Sequence, residues 1–208
     1  MLDHIVLATP DVQATVDEIA EAIGIRAGVG GRFTEMGAYN HLLALQDGAY
    51  LEIIGPDPNH QGGGSMPFGM DRQSKSAAHI AHWCWKGNER IDELAATAKS
   101  AGYDLGAVVP LGRDLPDGGR LDWRLTSGTW PPHLGGLIPF LIDWGDAPHP
   151  STTAVQGVSL ASWHGEHPDL DAVRAAHRLM DIEIELREAE EPALVATFEG
   201  PDGSITYR

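Results

Sequence analysis

The sequence predicts an α+β protein made of repeated strand–helix–strand–strand–strand (βαβββ) units. Three observations predict it. A short apolar run, an amphipathic segment at helical spacing and a series of strand-like runs recur in that order along the chain. Glycine follows the first two helical segments, as Gly24 and Gly102. Asp47-Gly48 and Pro201-Asp202-Gly203 separate strand-like runs, and such pairs are strong hairpin signals.

The first unit is expected over residues 1–55. Leu2 to Ala8 reads as a strand, and Thr9-Pro10-Asp11 is a turn and cap that launches a helix through Val12, Val16, Ile19 and Ile23. A weak strand follows a glycine-rich stretch, and the runs Asn40 to Gln46 and Ala49 to Ile54 flank Asp47-Gly48. Residues 56–78 have no periodicity and are read as a loop or linker. The second unit is expected over residues 79–146. In it His79 to Lys86 reads as a strand, Glu89 to Ala101 as a helix with Ile91, Leu94 and Ala98 on one face, and Arg120 to Thr126 and Leu137 to Trp144 as strands. A third, βαβββ-like unit is expected over residues 154–208. Its strand is Val155 to Trp163, its helix Leu170 to Met180, and its last strands Ile182 to Arg187, Ala193 to Glu199 and Ser204 to Tyr207.

Composition narrows the function. The chain has 208 residues, 14 Lys+Arg against 30 Asp+Glu and a formal net charge of -16, with no basic run. Such a surface repels polyanions, so neither nucleic acid nor an anionic membrane is expected as a partner. The single cysteine, Cys84, has no partner for an internal disulfide and lies in an apolar run, which suits a buried thiol in a reducing compartment. With no basic leader or long apolar segment, a cytoplasmic location is expected. The glycines near Gly28, Gly30 and Gly31, and those at Gly62 to Gly64, lack phosphate-binding spacing.

The wording of the repeat carries a resemblance. Leu2-Asp3-His4-Ile5-Val6-Leu7-Ala8-Thr9-Pro10-Asp11 and Asp47-Gly48-Ala49-Tyr50-Leu51-Glu52-Ile53-Ile54 resemble the first and fourth strands of a vicinal oxygen chelate unit. Gly119-Arg120-Leu121-Asp122-Trp123-Arg124-Leu125 and Pro139-Phe140-Leu141-Ile142-Asp143-Trp144 look like the glyoxalase-like domains of that superfamily. The resemblance implies two units curled into a cup-shaped mixed sheet, with metal ligands from their first and fourth strands. On that basis His4, Glu52 and His82 are the expected ligands of a divalent ion (Zn, Ni, Mn or Fe). Glu52 also stands out by itself, since a carboxylate inside an apolar strand needs solvent or a partner.

The resemblance implies a metal-dependent enzyme of lyase, isomerase or dioxygenase type acting on a small substrate with vicinal oxygens. The alternative is a non-catalytic protein that binds or sequesters a small molecule in the same cup without metal. Glu52 and His41 are expected to be catalytic, His41 through a two-residue turn at Asp47-Gly48 that would set Glu52 opposite Leu43. Asn40 and Arg124 are expected to bind substrate, Arg124 through a bidentate grip on a carboxylate. Laying Tyr50 to Gly55 on Phe140 to Gly145 puts Ile142 at the fourth-ligand position, so four protein ligands are not expected. Because a cup uses units in pairs, the odd third unit is expected to be covered by a second copy in a homodimer.

Overall fold

Strand β1 (Leu2–Ala8) is buried on both faces, which accounts for its apolar run from Ile5 to Ala8. One face looks into a barrel and the other supports helix α1 (Val12–Ile23). The computed structural model describes residues 1–61, 66–70, 77–115 and 117–208. Residues 62–65 and 71–76 of the expected loop, with the glycines Gly62 to Gly64, lie outside the described residues. Asp11 caps α1 by accepting from the Ala14 N–H at 3.0 Å, and Gly24 ends it at φ 75°, a left-handed conformation that costs glycine little.

Strands β2 (Gly28–Phe33), β3 (Ala38–Ala44) and β4 (Tyr50–Pro56) complete the first set. The second set is β5 (His79–Lys86), α2 (Ile91–Ser100), β6 (Val108–Asp114), β7 (Arg120–Thr126) and β8 (Phe140–Asp143). These strands close into a mixed barrel in the order β1-β4-β3-β2-β6-β7-β8-β5. Each half therefore has its first strand beside its fourth, in parallel, and the halves meet where β1 runs antiparallel to β5. The register makes the halves equivalent: His4 faces Cys84, Val6 faces His82, and the bulge that skips Asp3 on β1 is matched by one that skips Ala81 on β5.

The turn between β3 and β4 sets the alternation of every side chain on β3. Asp47 and Gly48 both have positive φ, 61° and 74°, and the Leu45 N–H donates to the Ala49 carbonyl. Ala44 is thereby set opposite Tyr50 and Leu42 opposite Glu52. The sequence expectation had Leu43 in that place, one residue out of register.

The remaining elements are β9 (Ser159–His167), α3 (Leu170–Leu179), β10 (Glu185–Glu188), β11 (Ala193–Gly200) and β12 (Gly203–Tyr207). They follow the expected order of a third unit, but their pairing differs from that of the barrel halves. The sheet runs β10-β9-β11-β12, with β9 parallel to its second strand and antiparallel to its third. A half-barrel pairing leaves an edge for a partner half, whereas this sheet has no partner half and lies against helices. Its β11 and β12 pack on α1, and α3 packs on α2. Trp83 of β5 stands edge-on to Trp163 and His177, joining the barrel's outer layer to the sheet in one core. The apolar face of the third segment is thus covered within the chain, while β10 and β12 remain the edge strands of an open sheet. No helix among the described residues is long and apolar enough to cross a membrane.

Candidate functional site

The barrel encloses a cavity of about 420 Å³ whose wall is chiefly aromatic and aliphatic. Period-two alternation decides what lines it. His4 and Val6 of β1 face inward with Tyr50, Glu52 and Ile54 of β4, while Ile5, Leu7, Leu51 and Ile53 face the helices. His82 and Cys84 of β5 share the inward face, leaving Trp83 and Trp85 outside.

Along the cavity wall a chain of buried polar groups runs from Asp3 to Arg113. The bulge on β1 brings the Asp3 carboxylate beside the His4 ring, and the His4 Nδ1 stands 2.7 Å from Asp3 Oδ1. Asp3 also accepts from the Trp144 indole at 3.0 Å and meets His149 Nε2 at 3.1 Å. Burial would raise this carboxyl, but the hydrogen bonds from His149 and His4 outweigh it and hold the group well below the usual carboxylate range. Asp3 is therefore an acceptor only, which puts a proton on His4 Nδ1 and leaves Nε2 turned to the cavity. That nitrogen faces Glu52 Oε2 at 3.8 Å. Tyr50 stacks on the imidazole, with centroids 4.6 Å apart.

Glu52 is buried, and its other oxygen accepts a short hydrogen bond from the Asn40 amide. Asn40 Oδ1 in turn accepts from Arg113 Nη1 at 2.7 Å. The contact needs glycine at position 30, where a Cβ would overlap both the Asn40 amide oxygen and the Arg113 guanidinium. His82 accepts the Trp83 N–H at Nδ1, and burial, then repulsion from His4, push its pKa down to about 4, so the ring is neutral at physiological pH.

The structure therefore brings His4, Glu52, His82 and Asn40 to one cavity. It moves two expected residues elsewhere. His41 alternates with Asn40 and, given the register set by the β3–β4 turn, points away from the cavity, with Nδ1 3.2 Å from the Ala27 carbonyl. Arg124 lies on the outer face of β7, where it pairs with Asp92 of α2 at 3.1 Å and Asp143 of β8 at 2.8 Å. The sequence reading turned the polar face of β7 inward; the barrel interior is apolar here, so Leu121, Trp123 and Leu125 take that side.

The fourth-ligand position also shifts. With Val6 beside Glu52 and Cys84 beside Phe140, the residue on β8 equivalent to Glu52 is Phe140, two residues before Ile142. Both are apolar, so the barrel still has a single acidic ligand position. The Phe140 ring meets both imidazoles edge-on, at 5.3 Å from His4 and 5.4 Å from His82.

Sequence reasoning missed Arg113 because it missed β6. Pro110 and Gly112 break the strand pattern, and Arg113 beside Asp114 reads as a solvated turn. It also missed Asp3 as a partner of His4, because neighbours on a regular strand point to opposite faces and only the bulge brings them together.

Among the described residues, the ligand atoms of Asp3, His4 and Cys84 lie within 4.8 Å of one another. Asp3 is occupied by its hydrogen bonds, however, and burial pushes the Cys84 thiol well up, so that group fits a support for His4 better than a metal centre. His4 and Glu52 fit a cation better. Their Nε2 and Oε2 face each other in a largely apolar cavity, and His82 on the equivalent strand offers a neutral imidazole.

A family model described as glyoxalase-like domain matches residues 2–180, from the first strand to the end of α3. No curated protein matches the chain. Among solved structures, a hypothetical protein from Staphylococcus aureus is 16% identical with a TM-score of 0.66, and the match covers 100% of this chain and 84% of that one. A methylmalonyl-CoA epimerase from Streptomyces coelicolor, solved with 2-nitronate-propionyl-CoA, is 18% identical over 71% of this chain and 96% of that one, with a TM-score of 0.44. The methylmalonyl-CoA epimerase from Mycobacterium tuberculosis gives 15%, 69%, 87% and 0.42. At such identities the first of these likenesses bears on the fold alone.

Proposed function

The chain belongs to the glyoxalase-like domain family of the vicinal oxygen chelate superfamily, and from that premise we propose that it is a metal-dependent enzyme of lyase or isomerase type acting on a small substrate with vicinal oxygens inside the barrel. The observation that carries this reading is the facing pair of His4 Nε2 and Glu52 Oε2, 3.8 Å apart in the cavity wall. His4, Glu52 and His82 would hold the ion. When bound it supplies Lewis acidity toward the substrate's oxygens.

The chain's own residues do the rest. Asp3 fixes the tautomer and orientation of His4. Asn40 engages one Glu52 oxygen and orients the carboxylate so that Oε2 faces His4, where it would join the ion's ligands or, released from the ion, exchange a proton with the reacting carbon. Burial keeps His82 neutral, and it would join the ligands through Nε2 by moving its proton to Nδ1 and giving up the Trp83 N–H bond. Phe33, Trp123, Phe140 and Trp144 exclude water, which strengthens every polar contact inside. We read residues 1–55 and 79–146 as the two functional halves, and residues 154–208 as a third, repacked unit that braces them.

Elemental analysis of protein purified without chelators tests the reading. The wild type is expected to carry a near-stoichiometric divalent metal that Glu52→Ala and His4→Ala both lose. Hydroxyketones, catechols and thiol adducts are then the substrates to screen. A wild type without metal would leave the second reading, a binding cup, which the packing of Phe140 against both imidazoles favours.

A further inference from the structure

The geometry points to a carboxylate-bearing substrate with an apolar body, its carboxylate held by Arg113. The inference rests on the reading of the barrel cavity as the substrate site, and it does not depend on the metal.

Arg113 is 5% exposed and lines the cavity. A guanidinium carries five N–H donors, yet among the described residues its one hydrogen-bond acceptor is Asn40 Oδ1, and no carboxylate lies within ion-pair distance. Its Nε and Nη2 are not among the buried polar atoms shut off from any partner. The surface they retain therefore opens on the cavity, because the residue is otherwise enclosed. An isolated buried charge is costly, and the cost is recovered when an anion supplies the missing acceptors.

Trp123 on β7 lines the same wall with its ring, while its indole N–H is shut off from the cavity. Leu111 pairs with Trp123 and Arg113 with Leu121, so Arg113 and Trp123 share the inward face of adjacent strands.

The charge of the ligand follows from the count of cations. Arg113 is the only Lys or Arg among the described residues that line the cavity, and Glu52 lies one hydrogen-bonded residue away through Asn40. That balance suits a single negative charge and opposes a phosphate dianion. The planar fork of the guanidinium matches a carboxylate. The rest of the wall, with Phe33, Met36, Phe68, Trp130 and Trp144, suits an aromatic or branched aliphatic body.

The test is binding of phenylacetate and phenylpyruvate against the neutral phenylacetamide, read by quenching of the cavity tryptophans and by calorimetry. Metal content is measured on each sample. Wild type is expected to prefer either acid over the amide by at least about tenfold. Arg113→Gln should weaken the acids by a similar factor and leave the amide within about twofold. Arg113→Lys, which keeps the charge and loses the fork, should fall between. Arg124→Gln, on the outer face, should change nothing. Equal affinity of wild type for acid and amide would overturn the inference, as would an Arg113→Gln variant that loses both alike. The acid preference of wild type is measured without any variant, so a misfolded Arg113→Gln would not shelter the inference. Binding of neither probe overturns the inference and the cavity reading together, whereas an acid preference in metal-free protein sinks only the metal.

Discussion

Asp3 is fully buried, ionised and bonded by His4, Trp144 and His149, so its role is to hold an imidazole rather than to meet substrate. Asp3→Asn places an amide N–H where one of three donors now points. We expect a stability loss of about 1–3 kcal/mol by urea unfolding. Metal retention should fall by roughly 10- to 100-fold, because the His4 tautomer is no longer fixed. An Asp3→Asn protein that binds metal like wild type would show that His4 is oriented by its stacking on Tyr50 alone.

At the scale of elements, one short turn and the bulges on β1 and β2 set the chemistry. The glycine-rich strand β2 skips Gly30 in its pairing with β3, and the missing side chain there admits the contact between Arg113 and Asn40. Gly30→Ala should displace the guanidinium from Asn40 at a cost of about 1–3 kcal/mol. Phenylacetate binding should weaken while phenylacetamide binding holds, a split that simple destabilisation would not produce. Much of this level was legible in the sequence. The runs at β1, β5 and β7 match their strands, and His4, Glu52 and His82 reach the cavity because a strand's period of two is hard to mistake. What was not legible depends on register. A single residue of turn geometry decides whether Asn40 or His41 faces Glu52, and no local pattern encodes it. Strand β6 was hidden by Pro110, which is tolerated in the ladder but looks like a breaker in the sequence.

For the whole molecule, the four-stranded sheet and the barrel share one core, and His177 of α3 sits in it with Nε2 2.8 Å from the Leu137 carbonyl. Burial lowers its pKa below the ordinary value of 6.5. The folded state therefore holds the ring neutral in a range where the unfolded chain takes up a proton. Stability from this group is complete above pH 6.5 and is lost as the pH falls below it. His177→Gln keeps an N–H for Leu137 and removes the titration, so its melting temperature should change less than that of wild type between about pH 7 and pH 5. Parallel slopes would place the acid sensitivity elsewhere.

The equivalence of the two barrel halves in register, set against their different side chains, has a stereochemical consequence. Around the line where β1 meets β5, Glu52 on one side answers to Phe140 on the other. A container with matching halves would offer the same surroundings to both faces of a planar carbonyl. Here one face meets a carboxylate and the other a phenyl ring. If Glu52 moves the proton as proposed, the proton reaches a prochiral carbon from the Glu52 side alone, and the product is expected to be one mirror-image form.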